Sequence, residues 1–118
     1  MNKERILELA DVIEKVPLAG HVLINEGPKE PDHFNMIEWH CGSCACIGGW
    51  AEHIWKDEDN AAGALGLSYM QEARLFFMRD YRGKTAMLSV TPSQAASCLR
   101  HLAETGIVDW ERALGETA

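Results

Sequence analysis

The chain has 118 residues and a formal net charge of −7, with 47% hydrophobic and 25% charged residues. This length suits a single domain, and the hydrophobic content is too high for an intrinsically disordered chain. The acidic excess argues against tight nucleic-acid binding, which needs clustered Lys and Arg. No stretch approaches 18 uninterrupted apolar residues and the N-terminus lacks a secretory pattern, so a cytoplasmic protein is expected.

The predicted fold class is all-α, with one compact helical domain over residues 1–118 built from about four to five short helices. Apolar residues at three- and four-residue spacing predict a first helix over 3–16, which Pro17 ends. The same spacing predicts a second helix from about Ser43 to Lys56. Residues 18–40 between them are expected to form one long irregular connection, ordered by packing of Phe34 and its apolar neighbours.

Capping patterns predict the third helix. Asn60 to Gly66 is expected to be a small-residue connection, after which Ser68 and Gln71 match a capping box. Phe76 and Phe77 are expected to be buried on this helix.

The next helix carries the clearest start signal in the chain. Thr91 is its expected N-cap, Pro92 its first residue and Gln94 the partner that closes a capping box, while Gly106 ends it. Asp109 is then expected to cap a last short helical turn.

The most unusual feature is the group of Cys41, Cys44 and Cys46 within six residues. One interpretation is that these residues are small buried hydrophobes at the start of the second helix, because free Cys is among the most buried residue types. Another is a zinc site, in which Cys41 and Cys44 join Cys98 and His101 from a later helix. No cofactor is expected apart from this possible zinc ion.

A third interpretation is nucleophilic catalysis. The Cys-Gly-Ser-Cys run at 41–44 is similar to the active-site segment of papain-like peptidases, and a helix N-terminus lowers the pKa of a thiol. The similarity fails at both flanks, because Ala45 stands where those enzymes have Trp and Glu38 where they have Gln. The chain is therefore predicted to be a non-enzyme, with a cysteine hydrolase kept as an alternative.

A fourth interpretation is a pocket for a small ligand at the start of the second helix. Unpaired N–H groups there attract anions, indole rings stack on flat ligands, and glycine lets a ligand approach the backbone closely. The candidate binding residues are Trp39, His40, Cys41, Gly49, Trp50 and His53, with Arg100 and His101 as second candidates.

A family resemblance rests on runs of residues between about 34 and 110. The runs include Trp39-His40-Cys41-Gly42, Cys46-Ile47-Gly48-Gly49-Trp50-Ala51 and Leu102-Ala103-Glu104-Thr105-Gly106. They resemble a widespread uncharacterised family of short phage and bacterial proteins, in which Cys stands at the positions of Cys41 and Cys46 and usually not at that of Cys44. The resemblance weighs against a three-thiol metal site.

The same resemblance implies a phage or mobile-element setting, and so the cytoplasm of a bacterial or infected host cell. Small phage proteins often act by binding, so we expect a non-catalytic protein that binds a small anionic or nucleotide-like ligand or a host protein. Sequestration of a signalling nucleotide and inhibition of a host factor are the expected uses of such binding, and a zinc-stabilised interaction module is the alternative. The protein is expected to form a homo-oligomer and to have no nucleic-acid or membrane partner.

Overall fold

The computed structural model describes residues 1–18, 33–36, 40–41, 44–58, 60–83 and 85–115. The helices in these ranges are α1 (Lys3–Glu14), α2 (Ile47–Ile54), α3 (Ala61–Leu65), α4 (Tyr69–Phe77), α5 (Pro92–Thr105) and α6 (Trp110–Ala113). Three two-residue strands, β1 (His33–Phe34), β2 (His40–Cys41) and β3 (Cys44–Ala45), and a 3-10 turn at Met87–Ser89 complete the described elements. The predicted all-α class is confirmed. Within the described ranges, no helix has the length and apolar character needed to cross a bilayer.

The core is centred on α1 and α5, which make the most extensive contact between elements in the described part of the chain. Each helix contributes one apolar face, as its spacing predicted. The fully buried side chains of the two faces are those of Ile6, Leu9, Ala10 and Ile13 on α1 and of Ala95, Ala96, Cys98, Leu99 and Leu102 on α5. Asn2 accepts a hydrogen bond from the Arg5 backbone N–H at 3.1 Å and so caps the start of α1.

The second helix begins at Ile47 and not near Ser43, so this predicted boundary is wrong. The backbone at 44–45 is extended because β3 pairs with two strands at once, parallel to β1 and antiparallel to β2. In this small sheet, of order β1-β3-β2, Cys44 lies opposite both His33 and Cys41. Cys46 then becomes the N-cap residue of α2.

The predicted connection over 60–66 contains the helix α3, which was not predicted from the sequence. The Asn60 side chain accepts a hydrogen bond from the Gly63 N–H at 2.7 Å, and Gly66 ends the helix in the left-handed conformation. Alanine has the highest helix propensity, so Ala61 and Ala64 support this single turn and, being small, let it pack closely in the core.

The two predicted capping boxes are both present, at the starts of α4 and α5. The predicted burial of Phe76 is confirmed, but that of Phe77 is wrong, because 58% of its surface is exposed. Neighbouring residues of a helix point about 100° apart, so Phe77 turns away from the core that Phe76 enters. Gln71 links the two helices, because its side-chain amide donates to the Gly106 carbonyl at 3.0 Å.

Little of the predicted connection over 18–40 falls within the described residues. Phe34 and Met36 are buried as expected, and the Phe34 N–H donates to the Pro17 carbonyl at 2.9 Å. Ile37 and Trp39, which were expected to pack with them, lie outside the described residues.

Two helix-ending glycines allow a matched test of backbone conformation and of close packing. Gly66 and Gly106 both have left-handed backbones, with φ of +66° and +77°. A Cβ atom at Gly66 lies 3.0 Å from the Asn2 nitrogen, whereas one at Gly106 meets nothing within 4 Å. We expect Gly106→Ala to lower the free energy of unfolding by about 1–2 kcal/mol, the cost of a left-handed Ala. Gly66→Ala should lower the free energy of unfolding further, because the N-terminus must also move. Equal decreases in the two variants, measured by urea denaturation, contradict this account.

Candidate functional site

Three of the predicted ligand-binding residues lie close together on α2. Gly49 and Trp50 are buried and His53 is half-buried. The rings of Trp50 and His53 meet edge to face, with centroids 6.0 Å apart. The Trp50 indole N–H donates to the His33 carbonyl at 3.1 Å and joins α2 to β1. Only 5% of Trp50 is exposed, so in this structure the indole serves mainly as core.

The other residues predicted at this site are described only in part. Trp39 lies outside the described residues, and of His40 and Cys41 the structure gives the backbone, in β2. β2 pairs with β3, which leads directly into α2, so the backbone at 40–41 lies near the start of that helix. A ligand site at the start of α2 therefore stays a prediction.

Two of the four cysteines are described with their side chains, and both thiols belong to the core. Cys46 is 2% exposed and Cys98 is fully buried. Burial raises the pKa of the Cys46 thiol, although the N–H groups of Gly48 and Gly49 act in the opposite direction. Burial also raises the pKa of Cys98, to about 12, against an opposing hydrogen bond with the Asp109 backbone. Thiolate is the reactive form, so neither residue is suited to be a nucleophile.

The zinc prediction combined residues from two parts of the chain. Cys98 and His101 lie on α5, where Cys98 packs within the apolar face and His101 is half-buried. Cys41 and Cys44 lie opposite each other in the β2–β3 pair. No group of three or more His, Cys, Asp or Glu that could hold a metal ion occurs among the residues that the structure describes. The zinc site therefore stays a prediction.

Arg100, a second candidate for ligand binding, is bound to α1. Its guanidinium donates to Glu14 at 2.6 Å and to Asp11 at 3.0 Å. These carboxylates raise the pKa of Arg100 further above its ordinary value, and Arg100 lowers the pKa of Glu14. The arrangement fastens α5 to α1 at the edge of the core, which is a structural use of this side chain.

A different group of side chains forms a cleft of about 200 Å³ where the end of α4 meets the start of α6. The cleft is lined by Arg74, Arg79, Asp80, Tyr81, Val108, Trp110 and Glu111. Trp110 is buried, and its indole N–H donates to the Arg74 carbonyl at 2.8 Å. This bond ties the two sides of the cleft together and fixes the indole as part of its wall.

The turn after α4 brings charged residues to the cleft by an unusual backbone path. Met78 and Asp80 both have left-handed conformations, with φ of 52° and 68°, although neither is glycine. Such residues cost about 1–3 kcal/mol each and often occur at binding sites. Burial of the Met78 side chain offsets its cost. Asp80 is exposed, and its carboxylate lies 3.5 Å from the Arg74 guanidinium.

The cleft presents both signs of charge beside aromatic rings. Arg74 and Asp80 form an ion pair, whereas the side chains of Arg79 and Glu111 make no ion pair or hydrogen bond within the described ranges. Tyr81 is half-buried, and its hydroxyl accepts a hydrogen bond from the Thr85 N–H at 3.2 Å. The cleft therefore offers one cation, one anion and an apolar wall to a ligand.

None of the residues that line this cleft was predicted from the sequence as a site residue. The sequence pattern indicates only that Tyr81 begins the segment that breaks the third helix and that Trp110 belongs to a last helical turn. The two segments lie about thirty positions apart, so nothing in either of them indicates that they meet.

No family model, no curated protein and no solved structure matches the chain. The resemblance to small phage and bacterial proteins remains an expectation from the sequence. Ligand binding is accordingly inferred from the residues of this chain and their geometry.

Burial of the described thiols predicts their reactivity. In a Cys41→Ser/Cys44→Ser double variant, Cys46 and Cys98 should resist iodoacetamide at about pH 8, because their raised pKa values keep them protonated and the core excludes the reagent. Mass spectrometry should find no label on the folded chain and one label on each thiol in denaturant. Labelling of either thiol in the folded chain contradicts its placement in the core.

The bond between Arg100 and Glu14 predicts a dependence on pH. Glu14 should titrate below its ordinary value of 4.5, mainly because Arg100 donates to its carboxylate. A lowered folded-state pKa adds stability above the unfolded-state pKa, and this is lost as pH falls through the folded-state value. Carboxyl NMR should show the pKa rising toward 4.5 in Arg100→Gln but not in Arg82→Gln. An unchanged Glu14 pKa in Arg100→Gln excludes the bond.

Proposed function

We propose that this protein binds a small polar ligand, without turnover, in the cleft between α4 and α6. The observation that carries the proposal is the cleft itself, a concavity of about 200 Å³ with a buried indole in its wall and both signs of charge in its lining. Ligand sites are concave and use a few polar groups to fix orientation. This cleft is concave, and its charged side chains lie beside Tyr81 and Val108.

The composition of the cleft supports recognition over catalysis. The guanidinium groups of Arg74 and Arg79 are hydrogen-bond donors without an acceptor atom, which suits recognition of a carboxylate. The Trp110 N–H already binds the Arg74 carbonyl. Cys46 and Cys98, the two cysteines whose side chains the structure describes, are not among the residues that line the cleft.

The biological use of such binding is proposed from the family resemblance. In a phage or mobile-element setting, a small binding protein would sequester a host metabolite or signalling molecule, or inhibit a host factor. The cleft is smaller than the roughly 300–1,000 Å³ of sites that enclose drug-sized ligands. A nucleotide-like ligand therefore suits the predicted site at the start of α2 better than it suits this cleft.

Native mass spectrometry of the full chain, incubated with a small-molecule extract of bacterial cells, tests the proposal. We expect one bound molecule per chain. Val108→Phe should abolish it by filling the cleft, because Val108 lines the cleft and is only half-buried. His53→Ala, which changes the predicted site on α2, should leave the bound mass in place. Circular dichroism of both variants checks that the helices are retained.

Each outcome of this experiment is informative. If the bound molecule is lost in Val108→Phe and retained in His53→Ala, the result supports ligand binding in the cleft. If the bound molecule is retained in Val108→Phe and lost in His53→Ala, the ligand binds at α2 and the proposed cleft site is wrong. A chain that captures no molecule from the extract overturns small-ligand binding and turns attention to a host protein partner.

A further inference from the structure

We infer that the ligand of the cleft is a small zwitterion of the free amino acid class. Its carboxylate would bind Arg79, its ammonium group would bind Glu111, and its side chain would lie against Tyr81 and Val108. This inference rests on the proposed function, because it names the chemical class of the ligand for the same cleft.

Two of the four charges in the cleft are not neutralised within it. Arg74 and Asp80 lie 3.5 Å apart and satisfy each other. In the described part of the chain, Arg79 and Glu111 have no such partner, although both line the same cleft. One cation and one anion are thus left for a ligand, and a molecule that carries both signs can satisfy both.

A ligand with a single charge fits this cleft less well. Two carboxylates, Asp80 and Glu111, repel a simple anion, and the chain as a whole carries a formal charge of −7. Two guanidinium groups, Arg74 and Arg79, repel a simple cation. Because the lining charges sum to zero, a ligand with no net charge and two separated ionic groups meets attraction at each end without net repulsion.

The size and walls of the cleft agree with an amino acid. A volume of about 200 Å³ leaves room for one small molecule and not for a nucleotide. The Trp110 N–H donates to Arg74, and the Tyr81 hydroxyl accepts from Thr85 and keeps its own O–H as a donor. Trp110 is buried behind this wall, and the half-buried Tyr81 ring and Val108 offer apolar surface that suits an aliphatic or aromatic side chain.

The pairing of Asp80 decides which arginine is left for the ligand. Asp80 has a left-handed backbone, at φ 68°, and its carboxylate lies beside Arg74. Asp adopts this conformation more readily than most residues, because its short polar side chain can bond locally. Because Asp80 pairs with Arg74, Arg79 is the guanidinium without a partner. The ligand carboxylate would therefore bind at the Arg79 end of the cleft.

Isothermal titration with matched probes tests the inference on the full chain. L-Phenylalanine is compared with phenethylamine, which lacks the carboxylate, and with 3-phenylpropionate, which lacks the ammonium group. L-Leucine is compared in the same way with isoamylamine and 4-methylpentanoate. We expect at least one of the two amino acids to bind about tenfold or more tightly than either of its analogues, because each analogue leaves one charged group unpaired.

Charge-neutralising variants locate the binding site. Arg79→Gln and Glu111→Gln should each weaken binding of that amino acid by about tenfold or more. Arg82→Gln and Glu104→Gln change the net charge equally at exposed positions outside the lining, and they should leave the affinity unchanged. All four positions are exposed or half-buried, and urea denaturation confirms that each variant folds.

The results separate this inference from the proposed function. Equal binding of an amino acid and its analogues, or equal affinities in lining and control variants, overturns the zwitterion assignment. If neither amino acid binds while native mass spectrometry finds another molecule in the cleft, the proposed function stands and this inference fails. If nothing binds in either experiment, both fail.

Discussion

The structure depends on the packing of α1 against α5. These helices lie almost ninety residues apart along the chain, and each buries one apolar face, including Leu9 on α1 and Leu99 on α5. At about 25 cal/mol per Å² of apolar surface, such burial is the main source of stability for a domain of this size. Arg100 adds hydrogen bonds to Asp11 and Glu14 at the edge of this contact. Because Arg100 and both carboxylates are partly exposed, these bonds fix the relative orientation of α1 and α5 more than they add to the free energy of unfolding.

The cleft is tied to this core through α5. Gln71, in the capping box of α4, donates to the Gly106 carbonyl just beyond the end of α5, and α6 starts four residues later at Trp110. The Trp110 indole then donates back to Arg74 on α4. The two sides of the cleft are thus joined both by the chain and by a hydrogen bond between them. Such connections hold a cleft in one shape, and preorganisation of this kind reduces the free-energy cost of binding a ligand.

Several residues that look functional in the sequence are used by the fold, among those whose side chains the structure describes. Trp50 fills the core, and Cys46 and Cys98 are buried thiols with raised pKa values. Indole rings and thiols are apolar enough to pack in a core, so clustering alone does not distinguish binding from packing. The charged cleft is different, because Arg79 and Glu111 have no structural partner within the described residues and contribute little to the core.

Local interactions determined what the sequence could predict. The starts of α4 and α5 follow from Ser68 and Thr91, whose side chains bond within the next three residues, and the apolar spacing of α1 and α5 marks their buried faces. Tertiary structure decided the rest. The pairing of β3 with two other strands delays α2 to Ile47, and the meeting of Trp110 with the turn after α4 creates the cleft. Both depend on contacts between segments distant in sequence, which neither segment encodes by itself.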